Sequence, residues 1–150
     1  MTAARTPGPP QAPSMVLRPE EIERFDRGSG VVTVPFVGKW NCAENRVTTG
    51  MTVFAAGTGI PLHSHNVEET VLVYEGEATA VIGDDEFDLG AGQATWVPAG
   101  VPHCFRNRGD GPMTIYWVYG GRDVTRIITA TGETFEHLSE ADRGGVRSES

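Results

Sequence analysis

Apolar and polar residues alternate with a period of two along much of this chain, in short runs that glycine, proline and aspartate repeatedly cut. That pattern constrains the fold more than any other feature. Side chains on a β-strand project alternately to its two faces, so each run reads as a strand with one side toward a core. The candidates are Val47 to Ala55, Glu69 to Tyr74, Glu77 to Ile82, Glu86 to Leu89, Ala94 to Val97, His103 to Asn107 and Met113 to Tyr119. Gly83-Asp84-Asp85 supplies hairpin chemistry between two of them. With 19 glycines and 10 prolines in 150 residues, punctuation is dense enough to keep the strands short. Many short, evenly spaced strands predict an all-β sandwich or barrel. Val31 to Val37 is also β-rich, but Pro35 inside it predicts an edge strand. Short helices are expected near the termini, over Pro19 to Phe25 and over Thr134 to Arg143, the second capped by Ser139. No internal repeat is visible.

Length sets the next bound. A chain of 150 residues is expected to form one domain, here residues 15–143 with a core at about 47–119. Residues 1–14, with Pro7, Pro9, Pro10 and Pro13, are expected to be a disordered arm, and residues 144–150 a disordered tail. No apolar run approaches the roughly 18 residues that a membrane helix needs, and the arm has no export-signal pattern, so a cytoplasmic location is expected. A formal net charge of -8 disfavours nucleic acid and anionic membrane as partners. Cys42 and Cys104 are too few for a disulfide framework. Cys104 follows His103 and should face away from it, as a small buried hydrophobe.

Three of the four histidines lie in two glycine-bracketed segments. One runs Gly57-Thr58-Gly59-Ile60-Pro61-Leu62-His63-Ser64-His65-Asn66-Val67-Glu68-Glu69 and on to Gly76. The other runs Gly92-Gln93-Ala94-Thr95-Trp96-Val97-Pro98-Ala99-Gly100-Val101-Pro102-His103-Cys104-Phe105-Arg106-Asn107. His63 and His65 share one face of a strand, and imidazole nitrogens with a nearby carboxylate suit a first-row divalent metal. Both segments resemble the signature motifs of the cupin superfamily at every fixed position. Gly57, His63, His65, Glu69 and Gly76 fill the first, and Gly92, Pro98, Gly100, His103 and Asn107 the second. The resemblance covers about Val47 to Tyr119 and implies a single cupin-type barrel, a double-stranded jelly roll. It also implies a homodimer, since N-terminal strands in cupins often pair across an interface.

The same resemblance implies that His63, His65, Glu69 and His103 hold one divalent transition metal, with iron(II), manganese, nickel, copper and zinc all compatible. Glu69 fits the family spacing better than its neighbour Glu68, which reads as a rim residue. His137 lies outside both motifs and is expected on the surface. Met51, Phe105, Trp117 and Tyr119 are expected to line a substrate pocket, which predicts a small, largely apolar organic molecule as partner. Arg46 could supply a cation for a carboxylate but reads rather as solvated, and the scattered arginines offer no clear phosphate clamp. Three histidines and one carboxylate leave two positions of an octahedron open. The leading expectation is therefore oxygen-dependent oxidation or C–C cleavage of the dioxygenase type. Oxygen-independent Lewis-acid chemistry (isomerisation, cyclisation, dehydration or decarboxylation) is the alternative, with Glu69 as ligand and proton carrier. A third possibility is a small-ligand binding or sensing module without turnover.

Overall fold

The structure is a computed structural model that describes residues 14–147. The expected arm lies outside the described residues except for Ser14. The alternating segments form two antiparallel sheets, and the fold is an all-β jelly roll of cupin type. The first sheet joins, in spatial order, β1 (Phe25–Gly28), β2 (Val31–Pro35), β3 (Thr48–Phe54), β11 (Met113–Tyr119), β6 (Glu69–Glu75) and β9 (Ala94–Val97). The second runs β13 (Thr134–Glu136), β12 (Thr125–Ile128), β5 (His63–His65), β10 (His103–Asn107), β4 (Thr58–Gly59) and β14 (Val146–Arg147). From β10 it also extends to β7 (Glu77–Ile82) and then to β8 (Asp85–Gly90).

Burial follows the pleat. On β6, Glu69, Val71 and Val73 are buried, while Thr70, Leu72 and Tyr74 are exposed. On β11, Met113, Ile115, Trp117 and Tyr119 enter the core with Phe54 of β3 and Phe105 of β10. Each such large side chain stabilises the fold by about 1.5–3 kcal/mol when fully buried. Gly50 on β3 pairs with Trp117 on β11, and the indole lies across it. A Cβ on Gly50 would stand 2.4 Å from the ring and 2.8 Å from the Val34 carbonyl oxygen, so only glycine fits.

The register corrects several expectations. Gly50 opposite Trp117 fixes Thr48, Gly50, Thr52 and Phe54 as the inward face of β3. Met51 pairs with Tyr116 on the other face and is not a pocket residue. The strand with Pro35 is not an edge, because β2 lies between β1 and β3. Pro35 is tolerated there since the pairing with β1 ends at Thr33, leaving Gly50 as its paired neighbour. The N-terminal helix is only a 3-10 turn at Pro19–Glu21, without a side-chain cap. The C-terminal helix does not form. Thr134 and Phe135 pair with Ile127 and Arg126 instead, and Leu138 sits at φ 61, a left-handed conformation that ends any helix. Of the tail expected to be disordered, residues 148–150 lie outside the described residues, while residues 144–147 are tied to the sheets. Gly145 N–H donates to the Arg27 carbonyl, and Val146–Arg147 pair with Gly59 and Thr58.

Candidate metal centre

Two facing sheets supply the ligand types from opposite sides. His63 and His65 project from one face of β5, and His103 lies directly across from His63 on β10. Glu69 begins β6 in the other sheet, opposite Tyr119 of β11. His63, His65, His103 and Glu69 are 3%, 2%, 2% and 5% exposed, so water does not satisfy them. Glu68, by contrast, is exposed and rests over Gly120.

The backbone sets the tautomers. Each Nδ1 donates to a carbonyl oxygen: His63 to Pro61 at 2.7 Å, His65 to Thr125 at 3.0 Å and His103 to Val101 at 2.9 Å. With protons on Nδ1, all three Nε2 atoms present lone pairs to the interior. One ligating atom from each ring lies within 4.8 Å of the others. His65 Nε2, His103 Nε2 and Glu69 Oε1 are buried without a hydrogen-bond partner among the described residues. His103 Nε2 stands 2.8 Å from Glu69 Oε1 yet makes no aligned hydrogen bond with it. Two donors at a right angle on one ion, each about 2.1 Å away, are separated by about 3 Å. The donor set therefore fits a divalent metal.

Burial, reinforced by the neighbouring imidazoles, holds the His63 pKa well below its usual 6.5. Burial also lowers that of His65, against the pull of Glu69. His103 differs: burial opposes its charge, but the Glu69 carboxylate beside it raises its pKa. Burial would raise the pKa of Glu69, and the opposing contacts with His103, His65 and Tyr119 win, keeping it below 4.5. Burial and the Glu69 charge push Tyr119 well above 10, so its hydroxyl stays protonated and can donate.

A cavity of about 30 Å³ opens beside this cluster. Phe105, Trp117 and Tyr119 line it, together with Thr52, and Met51 does not. Arg27 and Arg126 also line it, and sequence reasoning missed both. The alternation of Thr125-Arg126-Ile127-Ile128 marks a strand, but nothing in it says that the arginine side is the inner one. The arginines reach the interior because Asp142, fully buried, meets Arg27 Nη1 at 3.5 Å and Arg126 Nε at 2.7 Å. A further chain of contacts runs from Arg27 Nε to Thr33 Oγ1 at 2.6 Å and on to Thr52 Oγ1 at 3.0 Å. Trp117 Nε1 donates to that same Thr52 at 2.9 Å.

His137 is buried and not a surface residue. Its backbone N–H donates to the Val124 carbonyl as β13 folds onto β12, which carries the ring edge-on against Trp117 and Tyr119. Its Nε2 has no partner among the described residues. Cys104 is buried with its thiol pKa raised by burial, and Arg46 is exposed.

A family model described as "Cupin domain" matches residues 50–119. No curated protein sequence matches the chain at a level that supports relationship. Solved structures of oxalate decarboxylases share the fold. A Bacillus subtilis oxalate decarboxylase mutant superposes with a TM-score of 0.71 at 16% identity, over 88% of this chain and 41% of the other. The Lactobacillus farciminis enzyme in a formate complex gives 0.66 at 17% identity, over 73% and 34%. The chain spans less than half the length of these proteins. Among the described residues, no helix is long and apolar enough to cross a membrane.

Proposed function

From the match of residues 50–119 to the cupin model, we propose that the chain is a cupin and a mononuclear metal-dependent enzyme acting on a small organic molecule. His63, His65, Glu69 and His103 hold the ion, a divalent first-row metal. The observation that carries this reading is the set of three buried imidazoles whose Nδ1 protons are tied to carbonyls. A bound metal would supply Lewis-acid polarisation of the substrate and, for a redox-active ion, a place for dioxygen.

The chain's own residues do the rest. Phe105, Ile115 and Trp117 wall the cavity with apolar surface and limit water. Tyr119, kept protonated, can donate a hydrogen bond to a substrate oxygen. Glu69, kept ionised, serves as ligand and can accept a proton when its contact with His103 opens. The leading reaction is oxygen-dependent oxidation or C–C cleavage, supported by the two positions that four protein donors leave free on an octahedral ion. Oxygen-independent chemistry, decarboxylation included, is the second reading. Its support is the pair of arginines in the cavity wall, which suits an acid more than a hydrocarbon. The arginines also narrow the largely apolar substrate expected from the aromatics alone.

Elemental analysis of the full chain purified without chelator should find about one transition metal per chain. Oxygen uptake against a panel of small diketones, enols and carboxylic acids then separates the reactions. Product formed equally well under strict anaerobiosis excludes the dioxygenase reading. A protein that takes up no metal when offered each candidate ion excludes both.

A further inference from the structure

We propose that Arg27 and Arg126 form a seat for the carboxylate of a small organic acid, which makes such an acid the substrate class; this rests on the metal-enzyme reading above. The two guanidiniums come from different sheets, Arg27 on β1 and Arg126 on β12. They are 6% and 3% exposed, an uncommon place for two cations. Both line the cavity that His63 and Glu69 also line. Arg126 pairs with His65 across β12 and β5, so a molecule of a few atoms can touch the guanidinium and the ligand cluster together.

Their protein partners leave capacity unused. Arg27 spends Nε on Thr33 and Nη1 on the Asp142 and Arg143 carbonyls. Arg126 Nε lies 2.7 Å from Asp142 Oδ1 as an ion pair without an aligned hydrogen bond. Among the described residues, Arg27 Nη2 and both Nη atoms of Arg126 have no hydrogen-bond acceptor. Gly144 backs the Arg126 fork so closely that a Cβ there would stand 2.4 Å from Nη2.

Charge leads to the same conclusion. Arg27 and Arg126 are balanced by Asp142 and Glu69 as long as the histidines are neutral. A divalent ion on the ligand cluster then adds two positive charges that no described side chain in the cavity wall offsets. Unpaired charge in a low-dielectric interior costs several kcal/mol and is relieved by an anion that enters with the metal. Loss of water around the buried group lowers the Arg27 pKa despite Asp142, and repulsion from Arg126 lowers it further. Size and shape select the anion. A cavity of about 30 Å³ admits a group of few heavy atoms, and a planar carboxylate matches the guanidinium fork.

The test is calorimetric titration of the zinc-loaded full chain, a redox-silent form, with acetate, its neutral isostere acetamide, and sulfate. Acetate should bind at least tenfold more tightly than acetamide and more tightly than sulfate. Arg126→Gln should weaken acetate roughly ten- to a hundredfold, as loss of a charge-assisted hydrogen bond does, with zinc content unchanged. Asp142→Asn should tighten acetate, a direction that a merely structural role for Asp142 would not produce. Should Arg126→Gln fail to fold by circular dichroism, Arg126→Lys keeps the charge, loses the fork and should weaken acetate several-fold. The seat is overturned by equal affinity for acetate and acetamide, by sulfate binding as tightly as acetate, or by variants that match the wild type. Zinc content is a separate readout. If the wild type takes up no zinc, the enzyme reading falls. The acetate preference is then read on the metal-free chain, where its absence overturns the seat as well.

Discussion

The chemistry of single residues here depends on what lies behind them. A carbonyl behind each imidazole selects the tautomer that faces inward, and Asp142 behind each guanidinium keeps two cations in the interior. Glu69→Gln preserves shape and removes the charge. Metal affinity should fall by more than the roughly 10–100-fold typical of an outer-shell partner, as read by competition with a chromogenic chelator. His137 makes a pH prediction. Burial, with Arg27 adding to it, holds its folded pKa well below the 6.5 of an exposed histidine. The unfolded chain therefore binds a proton that the folded chain refuses. The contribution of His137 is complete above pH 6.5 and is lost progressively as pH falls from there toward the depressed folded value. Urea melts of the metal-free chain from pH 7 down to 5 should show this decline, with a shallower slope in His137→Gln. His63, His65, Glu69 and His103 could be named from spacing because their positions lie inside two continuous motifs. Arg27, Arg126, His137 and Asp142 could not, because they meet only after β1, β12 and β13 have been placed.

Elements were legible to the extent that alternation was long enough to show. The seven-residue strands Thr48–Phe54, Glu69–Glu75 and Met113–Tyr119 coincide with apolar alternation to within a residue or two. The two-residue β4 and three-residue β13 are too short for any period to appear, and tertiary pairing makes them. Which face of β3 turns inward was likewise hidden. Met51 looks like the better core residue, yet Gly50 faces in, because the Trp117 indole needs the space. Gly50→Ala should therefore cost about 1–3 kcal/mol by overpacking, measured in denaturant, and should alter the tryptophan fluorescence. Gly76 serves the β6–β7 hairpin in a comparable way. Its φ is +87, and a Cβ would stand 2.6 Å from the Pro112 carbonyl oxygen. Gly76→Ala should lower stability by at least the roughly 1–2 kcal/mol of a left-handed residue, with the metal cluster still able to form.

At the scale of the whole molecule, the candidate ligand cluster joins the two sheets, so an ion bound there would also stabilise the fold. With free metal at about a hundred times its dissociation constant, the linkage is worth about 2.7 kcal/mol. For a domain of this size that corresponds to a rise of very roughly 5–10 °C in melting temperature, reversed by chelator. Scanning calorimetry with and without metal checks it, and the rise should vanish in His103→Ala. The position of the guanidinium clasp has a different consequence. The proposed metal ligands all fall within 50–119, whereas Arg27 precedes that stretch and Arg126 and Asp142 follow it. The two jobs are thus separable in inheritance. A lineage can leave the middle of the gene untouched and, by editing only what flanks it, fit the proposed centre to a new diet.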